Sequence, residues 1–393
     1  MSLVSVKDVD LHQKRVIIRE DLNVPMKNGY ITSDARIQAV LPTLQYLLEQ
    51  GAAVIVLSHL NRPEEGHVTP EFSLTPVAKR LQTLLGCPVR FIADWIDGIE
   101  IVPGEIVLCE NVRFQRGEKK NDPVLAKKIA GLGDIFVMDA FASAHRNEAS
   151  TVGVAQFAPQ ACAGLLLIAE LNALTQALQN PARPLLAIVG GSKVSSKLQV
   201  LDSLLHKVDT LIVGGGIANT FLAAQGYKLG RSLVETGLLE GAHRLIAVAQ
   251  RNHVEIVLPI DVIVAKEISI TAKTHIRNLT EIASDEMVLD MGPESIKLYK
   301  QSIVSAATIL WNGPIGVFEV APFEKGTLAL SLAIANSNAF SIAGGGDTLA
   351  AIEKYAISDK ISYISTGGGA FLEFVEGKTF PVLQVLQERA RGQ

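Results

Sequence analysis

Cysteine is scarce in this chain and nowhere paired: Cys87, Cys109 and Cys162 lie far apart in 393 residues. The count is odd and no CxxC spacing occurs, so neither a disulfide framework nor a zinc site is indicated. All three sit beside apolar residues and read as buried, inert thiols. Charge is also sparse, 19% of residues against 48% hydrophobic, so the chain can bury a large core. No sign of charge dominates. A formal net charge of −4 argues against a nucleic-acid binder that relies on a strong positive field. No apolar run reaches the ~18 to 20 residues of a membrane span. The longest candidate, 303–323, is broken by Asn312, Pro314, Glu319 and Pro322. The opening segment MSLVSVKDVDLHQKR mixes charges early and lacks an apolar centre, which excludes a secretory signal. A cytoplasmic protein that contacts neither membrane nor nucleic acid is expected. The phosphate loop GxxxxGK[ST] is absent as well.

What is present is an alternation of short apolar runs and helical patterns. Strands are expected at 15–19, 53–58, 105–109, 134–139, 185–189, 210–213, 255–264, 308–311, 340–343 and 361–365. Helix ends are readable between them. Ser33 or Asp34 can cap a helix that stops at Gly51, Thr75-Pro76 opens one closed by Gly86, and Asp122-Pro123 opens one closed by Gly131. Such alternation predicts an α/β fold of two doubly wound, Rossmann-like parallel-sheet domains. The expected division is residues 1–165 and 166–379, with the connecting helix over 164–179 ended by Asn180-Pro181 and Arg183-Pro184.

The stretch RVIIREDLNVP, Arg15 to Pro25, ends an apolar strand in three polar residues. Arg19, Asp21 and Asn23 alternate by two, so an extended chain points them to one face. Open α/β sheets place ligands at such carboxyl ends. The theme repeats in the first half: His59 and Arg62 after VIVL, Arg113 after EIVLC, His145 and Arg146 after IFVM, and Arg36 in the first turn of a helix. Any one of these is ordinary surface charge. Repeated at one topological place, they form an anion site, since guanidinium grips carboxylate and phosphate bidentately.

The second half carries glycines instead. VGGSKVSSK follows a strand and places Lys193 and Lys197 four apart, on one face of the helix expected to open there. Cations at a helix start oppose its dipole, which suggests that they serve a polyanion. Gly214 to Gly216, Gly344 to Gly346 and Gly367 to Gly369 follow three further strands. Glycine lets the backbone approach a ligand, and helix N-termini offer free N–H groups to phosphate. WNGPIGVFE, residues 311–319, makes a rigid turn ahead of Glu319.

Together, RxDxNVP, the arginine exits, GGSKVSSK, WNGPxGVFE, GGGDT and STGGGA resemble the phosphoglycerate kinase family along nearly the whole chain. The resemblance implies reversible phosphoryl transfer between 1,3-bisphosphoglycerate and ADP, giving 3-phosphoglycerate and ATP, with a cleft between two domains that close. The N-terminal domain would bind 3-phosphoglycerate and the C-terminal domain the nucleotide. Asp21, Asn23, Arg36, His59, Arg62, Arg113 and Arg146 would bind 3-phosphoglycerate, with Arg19 and His145 in support. Lys197, Gly214, Asn312, Glu319, Gly345, Gly346, Asp347 and Thr348 would bind the nucleotide, Glu319 at the ribose and Asp347 at Mg2+. Arg36, Lys193, Lys197, Gly367 and Gly368 would stabilise the transferred group. The family likeness also implies a monomer and a C-terminal segment, 380–393, that returns to the N-terminal domain.

Departures from the family pattern are few: Asn61 stands where glycine is usual, Ser143 and Asn147 differ beside His145, and Phe371 replaces a small polar residue. Two other readings compete. A nicotinamide-dependent dehydrogenase would use Gly214-x-Gly216 and Glu235, but Asn219 occupies the third glycine position and the arginines go unexplained. A decayed nucleotide-binding scaffold would have lost Arg36, Lys193, Lys197 or Asp347, and all four are present.

Overall fold

The β-branched apolar runs pair with one another rather than with solvent in the computed structural model of the chain, which describes residues 3–391. They build two parallel six-stranded sheets. Contact density separates two compact units: one runs to Asn172 and takes back the segment from Thr379, and the other is Ala173–Lys378. The division falls inside one continuous helix, Leu165–Leu178.

In the first unit the strand order is Val89–Ile92, Ile106–Cys109, Ala53–Leu57, Arg15–Arg19, Ile135–Met138, Gln160–Ala163. Every neighbouring pair is parallel, so all six carboxyl ends share one edge. Val54, Val56, Val16 and Ile18 are buried because helices cover both faces, as parallel sheets require. The first strand lies between Ala53–Leu57 and Ile135–Met138, where the winding reverses. In the second unit the order is Glu255–Val257, Thr210–Val213, Leu185–Val189, Thr308–Asn312, Phe340–Ala343, Tyr363–Ile364, again all parallel. Its reversal falls at Leu185–Val189. Crevices for ligands open at such reversals.

The helices start largely where their capping residues stand. Asp122 accepts the N–H groups of Val124 and Leu125 at 2.8 and 3.0 Å, with Pro123 in the first turn of Pro123–Ala130. Gly86 closes Thr75–Leu85 at φ +70°, a left-handed geometry that favours glycine. Asp34 stands at the cap position of Ala35–Glu49 but makes no cap bond. Its carboxylate is taken instead by Arg80 Nε at 2.7 Å and Gln38 at 2.7 Å. The Leu165–Leu178 helix lies one residue inside each expected end.

Several strands differ from expectation. Val89–Ile92 and Gln160–Ala163 are short sheet edges that the sequence pattern leaves unmarked. The expected strand 255–264 is two. Pro259 interrupts it, and Asp261–Ala265 leaves the parallel sheet to pair antiparallel with His275–Asn278 and Met287–Met291. Among the described residues no helix is long and apolar enough to cross a membrane.

Candidate active site

At the shared carboxyl edge of the first unit, Arg36, Arg113 and Arg146 are linked through their partners in one chain of contacts, and Arg19 and His59 in another. The first strand ends at Arg19, so the expected alternation of 19, 21 and 23 along one strand face does not arise. Arg19 turns inward and is buried. Its Nε donates to Ser150 Oγ at 3.0 Å, and Nη2 lies 3.3 Å from His59 Nδ1. Asp21 and Asn23 lie in the loop beyond. Asp21 Oδ2 pairs with Arg36 Nη1 at 3.0 Å, and the same nitrogen donates to the Asn23 carbonyl at 3.0 Å. Asn23 Oδ1 accepts the Asn61 N–H at 2.8 Å. The Asn61 carbonyl in turn accepts from Arg113, whose Nη2 lies 3.4 Å from Glu148 Oε1. Arg146 Nη1 is 3.9 Å from that same oxygen.

His59 reports the convergence. Burial pushes its pKa well below the usual histidine value, and Arg19, Arg146, Arg36 and Arg62 push the same way. Four cations from four separate segments therefore bear on one imidazole. Two guanidinium nitrogens of the cluster, Arg113 Nε and Arg146 Nη1, are buried with no hydrogen-bond partner. Orphaned cationic donors beside one another mark where a polyanion would sit. His59 should stay neutral from pH 5 to 8. Ring nitrogen chemical shifts followed over that range check this, and a titrating imidazole would contradict it.

The second unit builds its site on the carbonyls at the sheet reversal. Lys197 Nζ donates to the Gly190 carbonyl at 2.6 Å and to the Asn312 carbonyl at 3.2 Å. Those carbonyls belong to the residues that leave two adjacent strands. Burial lowers the Lys197 pKa to about 8, against an opposing pull from Asp347. Gly190 must be glycine, because a Cβ would strike the Pro314 carbonyl. Asn312 Nδ2 donates to the Gly344 carbonyl at 2.6 Å, and Thr348 Oγ1 accepts the Gly313 N–H at 2.7 Å. These bonds lock the WNGP turn to the start of helix Gly346–Lys354, which carries Asp347 on its exposed face. Gly345 precedes that helix at φ +99°. Gly368 caps helix Gly369–Val375, and Gly367 N–H donates to Ser365 Oγ at 3.1 Å. A cavity of about 460 Å³ opens beside these groups, lined among others by Gly191, Gly215, Met287, Ile315, Glu319 and Asp347.

Comparison with known proteins gives this arrangement its family. The family model described as phosphoglycerate kinase matches residues 6–378. The chain belongs to the phosphoglycerate kinase family. It is 57% identical over 390 residues to the phosphoglycerate kinase of Francisella tularensis subsp. tularensis, covering 99% of this chain and 100% of that one. The enzyme of Legionella pneumophila is 58% identical over 391 residues, with 100% and 99% covered. Among solved structures, that of phosphoglycerate kinase from Coxiella burnetii superposes with a TM-score of 0.94 at 55% identity, covering 99% of this chain and 100% of that one. The enzyme of Pyrococcus horikoshii matches at 0.85 and 35% identity, with both chains fully covered. The chain is thus an enzyme, a phosphotransferase of the glycolytic kinase family.

Three of the four departures from the phosphoglycerate kinase pattern have structural answers, and nothing in the structure explains Ser143, whose buried hydroxyl has no hydrogen-bond partner. Asn61 takes the left-handed conformation at φ +54°, which asparagine tolerates better than most side chains, and its backbone is tied to Asn23 and Arg113. Asn147 accepts from Asn121 at 2.7 Å, away from the arginines. Phe371 is buried, with its ring against Gly344, so it fills core beneath the glycine cluster Gly344 to Gly346. A further expectation fails. Lys193 and Lys197 do not share a helix face, because the helix begins only at Leu198 and both precede it. Backbone carbonyls hold Lys197 where a helix would have turned it outward. Glu235 is likewise accounted for: it accepts the Ser195 N–H at 2.9 Å and its hydroxyl at 2.6 Å, and so pins the turn between the two lysines. Sequence reasoning missed Glu118, Glu148 and Ser150, the buried partners of the arginines. No motif marks them, because their role is set by what packs opposite.

Proposed function

We propose that Asp21, Asn23, Arg36, His59, Arg62, Arg113 and Arg146 bind 3-phosphoglycerate or 1,3-bisphosphoglycerate in the first unit. Lys197, Gly214, Asn312, Glu319, Gly345, Gly346, Asp347 and Thr348 bind ATP or ADP in the second. The observation that carries this reading is the convergence of four arginines on His59. A substrate with a phosphate and a carboxylate or acyl phosphate matches that many fixed cations.

Thr348 Oγ1 and Asn312 Nδ2 are committed to holding the glycine turns, Asn312 Oδ1 is left without a partner, and Thr348 offers its helix-start N–H to phosphate. Asp347 is the exposed carboxylate beside Lys197, and among the described residues no three His, Cys, Asp or Glu side chains group to hold a metal. That donor set fits Mg2+ carried by the nucleotide, one carboxylate being the usual protein share. The ion, when bound, neutralises phosphate charge.

Transfer is direct and in line, because a metaphosphate-like group asks the protein for position and positive charge rather than a covalent nucleophile. Arg36, Lys193 and Lys197 supply the charge, and Gly367 and Gly368 the N–H groups at a helix start. No residue need act as general base, since ADP attacks an acyl phosphate as an anion. The two half-sites belong to different units, so transfer requires the units to close and exclude water from the acyl phosphate. We take the enzyme to act as a cytoplasmic monomer, as the family likeness implies.

The test is a coupled assay. Protein, Mg-ATP and 3-phosphoglycerate are mixed with excess glyceraldehyde-3-phosphate dehydrogenase and NADH. NADH loss that needs 3-phosphoglycerate, ATP and Mg2+ together is the expected outcome. No loss, with the coupling enzyme active and the protein folded, would overturn it.

A further inference from the structure

Two acidic side chains lie beneath the arginine cluster with no basic partner bonded to either. Glu20 and Asp139 are both buried. Neither oxygen of Glu20 nor Oδ2 of Asp139 has a hydrogen-bond partner, and the parallel register that pairs Arg19 with Met138 sets Glu20 beside Asp139 at the end of the neighbouring strand. Two carboxylates cannot hydrogen-bond one another without a proton between them. Asp139 is the better anion. Its Oδ1 accepts the Leu167 N–H at 2.9 Å, at the start of helix Leu165–Leu178, where the helix dipole favours negative charge. Glu20 accepts nothing, so the proton belongs to it.

The pair sits at a junction. Asp139 N–H donates to the Arg19 carbonyl at 3.0 Å, and Glu20 N–H donates to the Leu57 carbonyl at 2.9 Å. Residues 19–23 and 139–146 carry Asp21, Asn23 and Arg146. We infer that Glu20 is a positioning residue that stays protonated in the working enzyme and donates to Asp139, tying the anion-binding strand exits to the helix that leads into the second unit. The inference about the proton stands apart from the site assignments above.

The facing charges are consistent with this. Burial raises the Glu20 pKa well above the usual carboxyl value, Asp139 and Asp21 add to it, and Arg19 opposes. Burial raises Asp139 as well, and Cys162 on the neighbouring strand stays a neutral thiol because burial pushes it up to about 12. A raised carboxyl pKa gives stability that is complete below the unfolded value, about 4.3 to 4.5, and that falls away as pH rises toward the folded value.

The test compares wild type with Glu20→Gln, which keeps a donor but cannot titrate. Urea unfolding of the full chain between pH 5 and 7 should show wild type losing about tenfold in the folding equilibrium per pH unit relative to the variant. The infrared carbonyl band of a buried protonated acid should appear in wild type at pH 7 and vanish in Glu20→Gln. That variant should keep the wild-type KM for 3-phosphoglycerate. Glu20→Leu, which cannot donate, should raise KM about tenfold, the equivalent of one lost hydrogen bond. Parallel stability curves, no lost band, or an unchanged KM in a folded Glu20→Leu protein would each overturn the inference.

Discussion

Replacing Arg36 with Ala should lower kcat by about 10² to 10³ while ATP binding stays near wild type. Arg36 rises from the first turn of Ala35–Glu49 and holds Asp21 Oδ2 at 3.0 Å and the Asn23 carbonyl at 3.0 Å through one nitrogen. It is part-exposed, so the rest of its fork is available to a ligand. Charge spread over the transferred phosphoryl group is what such a cation stabilises, and the gain is larger in the transition state than in the ground state. Arg36→Lys should recover only part of the rate, because a point charge cannot keep Asp21, Asn23 and a phosphate oxygen together. Steady-state kinetics with ATP and 3-phosphoglycerate varied separately, beside an ATP titration of the variant, decide the matter. A loss confined to KM for 3-phosphoglycerate would make Arg36 a binding residue alone, and near-normal turnover would remove it from the mechanism.

Lys197→Ala should be as damaging, and for two separable reasons. The Gly190 carbonyl loses its donor, and leaving such an acceptor unpaired costs about 1 to 3 kcal/mol, while the Asn312 carbonyl keeps the Gly190 N–H at 2.9 Å. The nucleotide phosphates lose a cation at the sheet reversal. A fall of about 10² in kcat is expected, with weaker ADP binding. Wild type carries a matching pH signature. Burial lowers the Lys197 pKa to about 8, so the charge that phosphate needs is lost as pH rises through that value. Nucleotide affinity should then decline by at most about tenfold per pH unit above 8, the limit for one linked proton. The ligand-free protein should respond the other way. A depressed lysine pKa means that the unfolded chain holds its proton where the folded one does not, so folding gains stability as pH rises from about 8 toward 10.5. Calorimetric titration of ADP at pH 7, 8 and 9, with wild type and Lys197→Ala side by side, separates the two effects. A pH dependence identical in both proteins would assign the titration elsewhere.

Much of the anion half is legible in the order of residues along the chain. Arginines at the exits of apolar runs are a one-dimensional sign of a shared sheet edge, provided the runs are parallel neighbours, and the sheet order makes them so. The glycine half is legible only in part. GGSK reads as a helix start, yet the helix waits until Leu198, because Lys197 is drawn back onto two carbonyls that lie 122 residues apart in sequence (Gly190 and Asn312). Helix periodicity carries no information about such a partner. The antiparallel strands Asp261–Ala265, His275–Asn278 and Met287–Met291 are obscured for a related reason. The mostly exposed His275–Asn278 and the interrupting Pro259 weaken the apolar signal on which strand recognition depends.

Local physics is enough for the fold class, the winding of two parallel sheets, the helix starts at Pro76 and Pro123, and the inventory of charge at the strand exits. β-branched runs pair, proline and glycine punctuate, and arginines gathered at one sheet edge need an anion to meet. Which charges are neutralised, and which are left over, depends on packing between distant segments. Burial and four arginines push His59 toward its neutral form, and Glu118 and Glu148 are the buried counterweights of that cluster. Glu20 and Asp139, 119 residues apart by their numbering, face each other at the start of one helix. Protonation and pairing depend on distance in space and on the loss of water, and neither is a property of neighbours along the chain.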